Sequence, residues 1–390
     1  MKKFFIVIAL LPLFAMGQPH YSQVLKDIEA KNPTLLAASK QAEADKATAH
    51  VGFLIPNPEV EAAYFIGSPS EIGNRWDLSV SQSFEMPSVI IRRARLRNLQ
   101  SDAANISYQM LRNATLLEAQ QLCADLVYYR NVAQVYSRRC SSAIRLAQLY
   151  QKRYDAGDCS ILEYNRAQMN LADVQNRAAQ AALLEDHAIH ELRTLMNDDS
   201  YVFNETDYLP VKVEPSFEQW YAELEMRNPQ LRQLDNAASQ HHQQSQLAKA
   251  EWLPEMSVGY ASENVVGEVF RGVKVGLSIP IWSQPRAVKA AKLQYEASQE
   301  AFDAQRTQLF THLRCMFHRH EALIRNVGNL RTAFSQFGGV QLLDKALEAG
   351  EISLEEYLQQ VDFYYDFEIQ IWDAAHELEQ LHLQLYSVEL

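Results

Sequence analysis

Histidines and cysteines that lie close together in sequence are the residues of this chain whose types and spacing could do chemistry. Side chains three positions apart share one face of a helix and could supply two metal ligands, whereas side chains two positions apart diverge. A closed zinc site needs four ligands, which no pair supplies. We therefore expect these to be surface or helix-packing residues, with no bound metal. The pairs are His187 with His190, His312 with Cys315, His318 with His320, and His241 with His242.

The sequence contains no recognisable catalytic motif. It lacks the G-x-S-x-G, P-loop and H-E-x-x-H patterns, so we predict a protein that is not an enzyme and has no cofactor. Its four cysteines form no Cys-x-x-Cys pair and are interpreted as small apolar helix residues. A formal net charge of −12 argues against a nucleic-acid partner.

One stretch of nine residues occurs twice, at 156–164 and at 349–357, an offset of 193. In each copy a long apolar-periodic run ends at a glycine, which accepts the left-handed conformation past a helix end. A serine then precedes the next periodic run, with a glutamate three positions later, which is the pattern of a capping box. Each copy therefore predicts a tight helix-turn-helix. These residues are Gly157, Ser160 and Glu163 in the first copy and Gly350, Ser353 and Glu356 in the second.

Other motifs recur at nearly the same offset, so the chain is a tandem duplication with a period of about 195 residues. Asn32-Pro33-x-Leu35 matches Asn228-Pro229-x-Leu231 at an offset of 196, and Pro58-Glu59 matches Pro254-Glu255. We predict a secretory signal over 1–17, a first repeat over 18–197 with its turn at 155–159, a linker over 198–215, and a second repeat over 216–390 with its turn at 348–352.

The signal prediction for residues 1–17 rests on a charged start, an apolar core and a small-residue cleavage site. No later apolar run reaches the length of a transmembrane helix. The sequence therefore predicts an exported protein.

Four segments, 58–67, 75–86, 254–263 and 270–281, alternate between apolar and polar residues. Each is about ten residues long, the span of a tilted strand across a bilayer, although alternation alone also fits a half-buried soluble sheet. A membrane sheet must close, and four strands are too few, so several chains would share one barrel. The positions predicted to face lipid are Val60, Tyr64, Leu78, Val80, Val258, Tyr260, Val275 and Leu277, and the acids predicted on the opposite face are Glu59, Glu61, Asp77 and Glu255.

Very long helices are predicted around the strands. From Pro87 to Tyr154 no further proline and no glycine occurs, and an apolar seam at alternating steps of four and three predicts coiled-coil packing. At 1.5 Å per residue this helix is roughly 100 Å long. We also expect helices over 21–51, 160–196 and 285–347, the last weakened by its glycines. The seam residues are Leu122, Leu126, Tyr129, Ala133, Tyr136, Cys140, Ala143, Ala147, Tyr150 and Tyr154.

With these motifs in their order, the chain resembles the TolC family of outer-membrane efflux proteins, in particular the shorter CusC/CzcC-like members. The resemblance covers essentially the whole mature chain. It implies a mainly α fold with a small β part, in which a homotrimer forms one twelve-stranded β-barrel in the outer membrane, continued by an α-helical barrel in the periplasm. It further implies a periplasmic membrane-fusion adaptor and an inner-membrane pump of the RND type as partners.

The resemblance also implies that the two turns form the periplasmic tip where the adaptor docks. The implied docking residues are Gly157, Asp158, Ser160, Gly350, Glu351 and Ser353, and the implied acids of the tip gate are Glu163 and Glu356. The chain departs from the family at the gate, because Gln359 replaces an acid and no Arg or Lys closely follows Gly350. A gate built on salt links is therefore not favoured.

Three functions fit these observations to different degrees. The leading interpretation is a passive exit duct of a tripartite efflux system. A duct for type I protein secretion has the same sequence features, and a soluble periplasmic coiled-coil scaffold would explain the helices but not the four strands.

Overall fold

The computed structural model describes residues 21–51, 56–211, 213–214, 216–279, 284–337 and 339–390. The predicted signal segment and the end of the predicted strand at 280–281 lie outside the described residues. In chain order the elements are α1 (Ser22–Lys31), α2 (Pro33–Val51), β1 (Glu59–Phe65), β2 (Arg75–Phe84), α3 (Pro87–Asp155), α4 (Ile161–Met196), α5 (Phe217–Arg227), α6 (Pro229–Ala250), β3 (Glu255–Val265), β4 (Glu268–Ser278), α7 (Gln284–Ser335), α8 (Val340–Glu348) and α9 (Leu354–Leu385).

The prediction of one helix over 21–51 is wrong, because the helix breaks at Asn32. Asn32 has φ −65° and ψ 120°, and Pro33 begins α2. A residue before proline is pushed out of the α region by the proline ring, whereas proline itself is well tolerated in the first helical turn. The second repeat does the same at Asn228, whose side-chain oxygen accepts a hydrogen bond from the Leu231 N–H at 3.1 Å.

The four strands form one antiparallel sheet in the order β1-β2-β3-β4. The two hairpins are joined because β2 pairs with β3 along its whole length, from Arg75 opposite Val265 to Phe84 opposite Met256. Helices α2 and α6 lead into β1 and β3, and β2 and β4 lead into α3 and α7, so all four helices adjoin the same end of the sheet. The edge strands of the sheet are β1 and β4.

The register collects the alternating apolar residues on one face of the sheet. Val60 lies opposite Val80, Val80 opposite Tyr260, and Tyr260 opposite Val273, which makes a continuous apolar row across four strands. These apolar side chains are exposed, whereas the polar residues between them in β2 and β3, such as Ser79, are partly buried. A sheet in water shows the opposite pattern, so the exposed apolar face requires a non-aqueous or protein environment.

The longest helix, α3, extends over 69 residues without a break, as predicted. The expected helix over 285–347 is instead divided, because α7 ends at Ser335 and α8 begins at Val340, after Gly339 at φ 76°. Glycine is the residue that accepts this left-handed conformation without strain. None of the helices in the described part of the chain has the length and apolar content needed to cross a lipid bilayer.

The predicted seam of α3 is only partly buried. Leu126, Ala143 and Tyr150 are buried, but Tyr154 is exposed. Buried positions also include Val127, Val135 and Leu146, which lie outside the predicted seam. The buried stripe is broader than a two-helix seam because α3 packs against residues of more than one helix.

The chain divides into two compact units that do not coincide with the two sequence repeats. The turn unit comprises Met1–Pro33, Asn113–Val213 and Met316–Leu390, and the sheet unit comprises Thr34–Arg112 and Glu214–Cys315. Each unit takes residues from both repeats. In the turn unit, helices α3 and α4 of the first repeat share a core with α9 of the second.

Candidate functional site

Both predicted turns in the turn unit are closed by the same hydrogen bonds. Gly157 has φ 79° and Gly350 has φ 74°, which confirms the left-handed conformation. The Asp158 N–H donates to the Arg153 carbonyl at 2.7 Å, and the Glu351 N–H donates to the Ala346 carbonyl at 2.9 Å. This is the Schellman arrangement, which satisfies the last carbonyls of a helix and requires a left-handed residue.

Each turn is followed by a complete capping box. The Glu163 N–H donates to Ser160 Oγ at 3.2 Å, and Glu163 Oε2 accepts from the Ser160 N–H at 2.8 Å. Ser353 and Glu356 repeat the arrangement at 3.2 and 2.9 Å. Hydrogen bonds from the serine backbone hold the pKa of both glutamates below the usual value. The two carboxylates proposed for a gate are therefore engaged in capping their own helices.

The two turns differ in what they expose. After the second turn, Leu354 is 4% exposed and Tyr357 is buried, whereas after the first turn Ile161 is 48% and Leu162 is 76% exposed. Duplicated sequences thus have unequal surroundings, and the first turn presents apolar side chains at the surface of the chain. Exposed apolar residues beside a tight turn are suited to contact with another protein.

A shared core fixes the second turn against the first. The buried residues come from α3, α4 and α9, with Leu343 and Leu347 of α8 packed against them. Tyr357 donates a hydrogen bond to Asp344 Oδ1 at 2.6 Å, and burial, followed by this bond, raises the pKa of the tyrosine well above its usual range. The core members are Val135, Leu146, Tyr150, Ala167, Leu354, Tyr357, Leu358, Val361 and Tyr365.

Ion pairs also link these helices within the chain, although no Arg or Lys closely follows Gly350 in the sequence. Arg166 of α4 contacts Glu355 of α9 with both guanidinium nitrogens at 3.2 Å. Arg139 of α3, itself buried, pairs with Asp362 and lies 3.5 Å from Asp366. Both arginines come from the first repeat, so they lie far in sequence from Gly350 and from the acids that they contact.

The predicted inner acids lie on the polar face of the sheet, in the sheet unit. A concavity of about 430 Å³ on this face is lined by residues that include Glu61, Asp77, Glu263 and Lys274. Arg75 forms ion pairs with Asp77 at 2.8 Å and with Glu263 at 2.9 Å. The polar face therefore carries charges of both signs rather than acids alone.

Several of the histidines contact acidic side chains or another histidine. His187 and His190 lie near Glu191 and Asp186, at 3.6 and 3.7 Å, rather than sharing a ligand. His320, which the sequence paired with His318, instead contacts His382 across two helices at 3.2 Å, in a buried site. In the part of the chain that the structure describes, no three His, Cys, Asp or Glu side chains gather as metal ligands would.

The chain has long helices and a small antiparallel sheet, and the same order of elements occurs in both repeats. Solved outer-membrane channels have the same fold. Solved structures that share this fold include the CmeC outer membrane channel of Campylobacter jejuni, CusC, and the outer membrane protein VceC of Vibrio cholerae. Their sequence identities to this chain are 16%, 11% and 12%, and their TM-scores are 0.76, 0.80 and 0.74.

The alignments cover 94%, 95% and 94% of this chain and 84%, 92% and 94% of those proteins. The resemblance to the TolC family is thereby confirmed at the level of the fold. No family model and no curated protein matches the sequence.

Proposed function

We propose that this chain is a subunit of an outer-membrane exit duct, through which an inner-membrane pump of the RND type and a periplasmic adaptor pass their substrate to the exterior. The observation that carries the proposal is the sheet. Its apolar face is exposed, its polar face is concave, and three of its four strands, with 10, 11 and 11 residues, have the length of membrane-spanning strands. The fold shared with outer-membrane channels supports the same conclusion.

Barrel closure needs further copies of the chain. Lipid provides no hydrogen-bond partner for a strand edge, so β1 and β4 must be paired in a membrane. Four strands per chain is an even number, which allows β4 of one copy to pair antiparallel with β1 of the next. Three copies then give twelve strands, with the polar face of the sheet towards the lumen.

The assembly test is the mass of the particle extracted from the outer membrane. We expect the protein to remain in the membrane after washing with salt, to need detergent for extraction, and to have the mass of a trimer in mild detergent. Release by salt alone would support a periplasmic scaffold. A stable monomer with its strands intact would refute the shared barrel.

We place the adaptor-docking surface at the two turns, on Gly157, Asp158, Ser160, Gly350, Glu351 and Ser353. The exposed apolar residues after the first turn support this assignment, because a docking surface needs apolar area that water does not cover in the complex.

Leu162→Asp is the sharpest test of docking, since Leu162 is exposed and its replacement leaves the fold of the chain intact. We expect a correctly assembled trimer with reduced cross-linking to the adaptor and reduced export. The control is Glu355→Gln at the equivalent position of the second repeat, which should preserve cross-linking. Normal cross-linking and export with Leu162→Asp would remove the first turn from the docking surface.

A further inference from the structure

Two short basic segments follow the strands in an otherwise acidic chain. Residues 87–97 contain four arginines and no acid, and residues 285–295 contain one arginine, two lysines and no acid, although the whole chain has a formal net charge of −12. Each segment begins at a proline at the start of a helix, Pro87 for α3 and Pro285 for α7. The duplication therefore places a cluster of positive charge after both hairpins.

These segments adjoin the end of the sheet where all four helices attach. The apolar face continues to that end, because Phe84 lies opposite Met256, and Met256 lies opposite Leu277. Next to it, at the junction between α6 and β3, Trp252 is 50% exposed. In membrane barrels, aromatic residues mark the boundary between the hydrocarbon layer and the headgroups.

The basic side chains lie within reach of a headgroup layer beyond that boundary. Arg95 is eight residues into α3, which is roughly 12 Å at the rise of an α-helix, and Arg286 and Lys289 are two and five residues into α7. The polar layer of a bilayer is about 5–8 Å thick on each side, and arginine and lysine extend their charges along the surface. All three residues are exposed.

One arginine of the group has a different role. Arg93 pairs with Glu85 and lies 3.5 Å from Glu251, which ties the start of α3 to the end of α6. Together with Val89 and Glu255 it lines a small groove of about 150 Å³ on the opposite side of α3 from Arg95. The ion pairs of Arg93 hold the helices together, and the exposed residues Arg95, Arg286 and Lys289 are available to a ligand.

We propose that Arg95, Arg286 and Lys289 form a basic collar that binds the headgroups of anionic phospholipids in the periplasmic leaflet of the membrane. The inference rests on the proposed function, since it requires the sheet to span lipid. The collar continues the lipid face of the sheet, and its charge complements a phosphodiester headgroup. In the assembled duct, three copies would surround the barrel with the same charges.

The test compares lipid binding by the purified trimer and by a triple variant, Arg95→Gln with Arg286→Gln and Lys289→Gln. Native mass spectrometry would count the lipids retained from detergent micelles that contain equal amounts of phosphatidylglycerol and phosphatidylcholine. We expect the wild type to retain phosphatidylglycerol preferentially, and the triple variant to lose at least fivefold of that preference. Unchanged preference in the triple variant would overturn the proposal.

Two controls distinguish lipid binding at the collar from a general effect of positive charge on the protein. Arg227→Gln with Arg314→Gln and Lys152→Gln removes three exposed basic residues elsewhere and should leave the lipid preference intact. Arg95→Lys with Arg286→Lys keeps the charge and should also retain it. Equal loss in the first control, or loss in the second, would contradict a headgroup site made of these charges.

Three further outcomes would point to a different explanation of the lipid-binding result. Displacement of phosphatidylglycerol by inorganic phosphate at the same concentration would indicate a site for free anions and overturn the lipid proposal. Failure of the triple variant to assemble, with assembly preserved in the charge-keeping variant, would assign these residues to contacts between copies and also overturn it. A wild-type protein that is absent from the membrane fraction would instead refute the proposed function, so the two failures are distinguishable.

Discussion

The glycine at the second turn allows a quantitative test of the turn geometry. Gly350 has φ 74°, whereas Gly328 lies inside α7, and both belong to the turn unit. Apart from its own neighbours along the chain, a Cβ added at either position would meet no heavy atom of the described residues within 4 Å. The described part of the chain therefore shows no steric crowding at either site, and the effect of alanine depends on the backbone alone.

The two substitutions should have opposite signs. At Gly350, alanine must adopt a left-handed conformation, which costs roughly 1–2 kcal/mol, partly offset by about 0.4–1 kcal/mol from the reduced entropy of the unfolded chain. The net effect is a destabilisation of about 1 kcal/mol. At Gly328, alanine in a helix interior is more stable than glycine by about 0.5–1 kcal/mol.

Hydrogen exchange measured by mass spectrometry reports these local free energies without unfolding the assembly. A change of 1 kcal/mol is about fivefold in an equilibrium constant, so Gly350→Ala should speed exchange in peptides covering 345–358 about fivefold. Gly328→Ala should slow exchange in peptides covering 322–335 by about two- to fivefold. Asparagine tolerates the left-handed conformation better than alanine, so Gly350→Asn should fall between glycine and alanine.

One result would refute the reasoning. If Gly350→Ala slowed exchange at its turn as Gly328→Ala does in its helix, the turn would not require a left-handed residue. The Schellman bonds, and the placement of the turn at that residue, would then be wrong.

Three other changes test separate parts of the structure. Val258→Arg should lower the yield of protein in the membrane, because a charge on the proposed lipid face costs roughly 2–4 kcal/mol near the bilayer midplane. Ser257→Arg, on the polar face, should be tolerated better. Equal yields of the two variants would mean that the faces are assigned wrongly. Burial lowers the pKa of His320 from 6.5, so its contribution to stability is present above pH 6.5 and is lost as the pH falls below it. The thermal midpoint should therefore drop between pH 7 and pH 5 less in His320→Gln than in the wild type, and His187→Gln, at an exposed site, should keep the full drop. Ser353→Ala removes the N-cap of α9 and should destabilise that end of the helix by about 1 kcal/mol. The amides of the first turn of α9 should then exchange hydrogen faster. Unchanged exchange would show that the capping box contributes nothing to stability.

The turns could be predicted from the sequence because their determinants are local. Glycine, serine and glutamate at fixed spacing specify a Schellman turn and a capping box without any help from distant residues. The break at Asn32 was equally local, and the prediction of a continuous helix failed because the restriction that Pro33 places on its predecessor was overlooked.

Contacts between the repeats could not be predicted in this way. Arg139 lies on α3 outside the seam predicted from apolar spacing, yet it is buried and paired with acids of α9, 223 positions away in the case of Asp362. Within the second repeat, the contacting residues His320 and His382 are also far apart in sequence, by 62 positions. Such pairs depend on which helices become neighbours, and the apolar pattern of a single helix does not contain that information.

The unequal edges of the sheet have a consequence for how the proposed duct would be made. Before assembly, each copy has a seven-residue edge at β1 and an eleven-residue edge at β4, and unpaired edges invite association with any extended segment. Closure of the barrel would then be a reaction between chains, so its rate would depend on their concentration. At low concentration, the copies would keep unpaired edges for longer. A short peptide with the sequence of Glu59–Phe65 would compete with the neighbouring copy for the edge of β4. The last step in assembling the proposed duct would thus be open to a decoy strand, whereas a closed barrel would have no edge left to bind one.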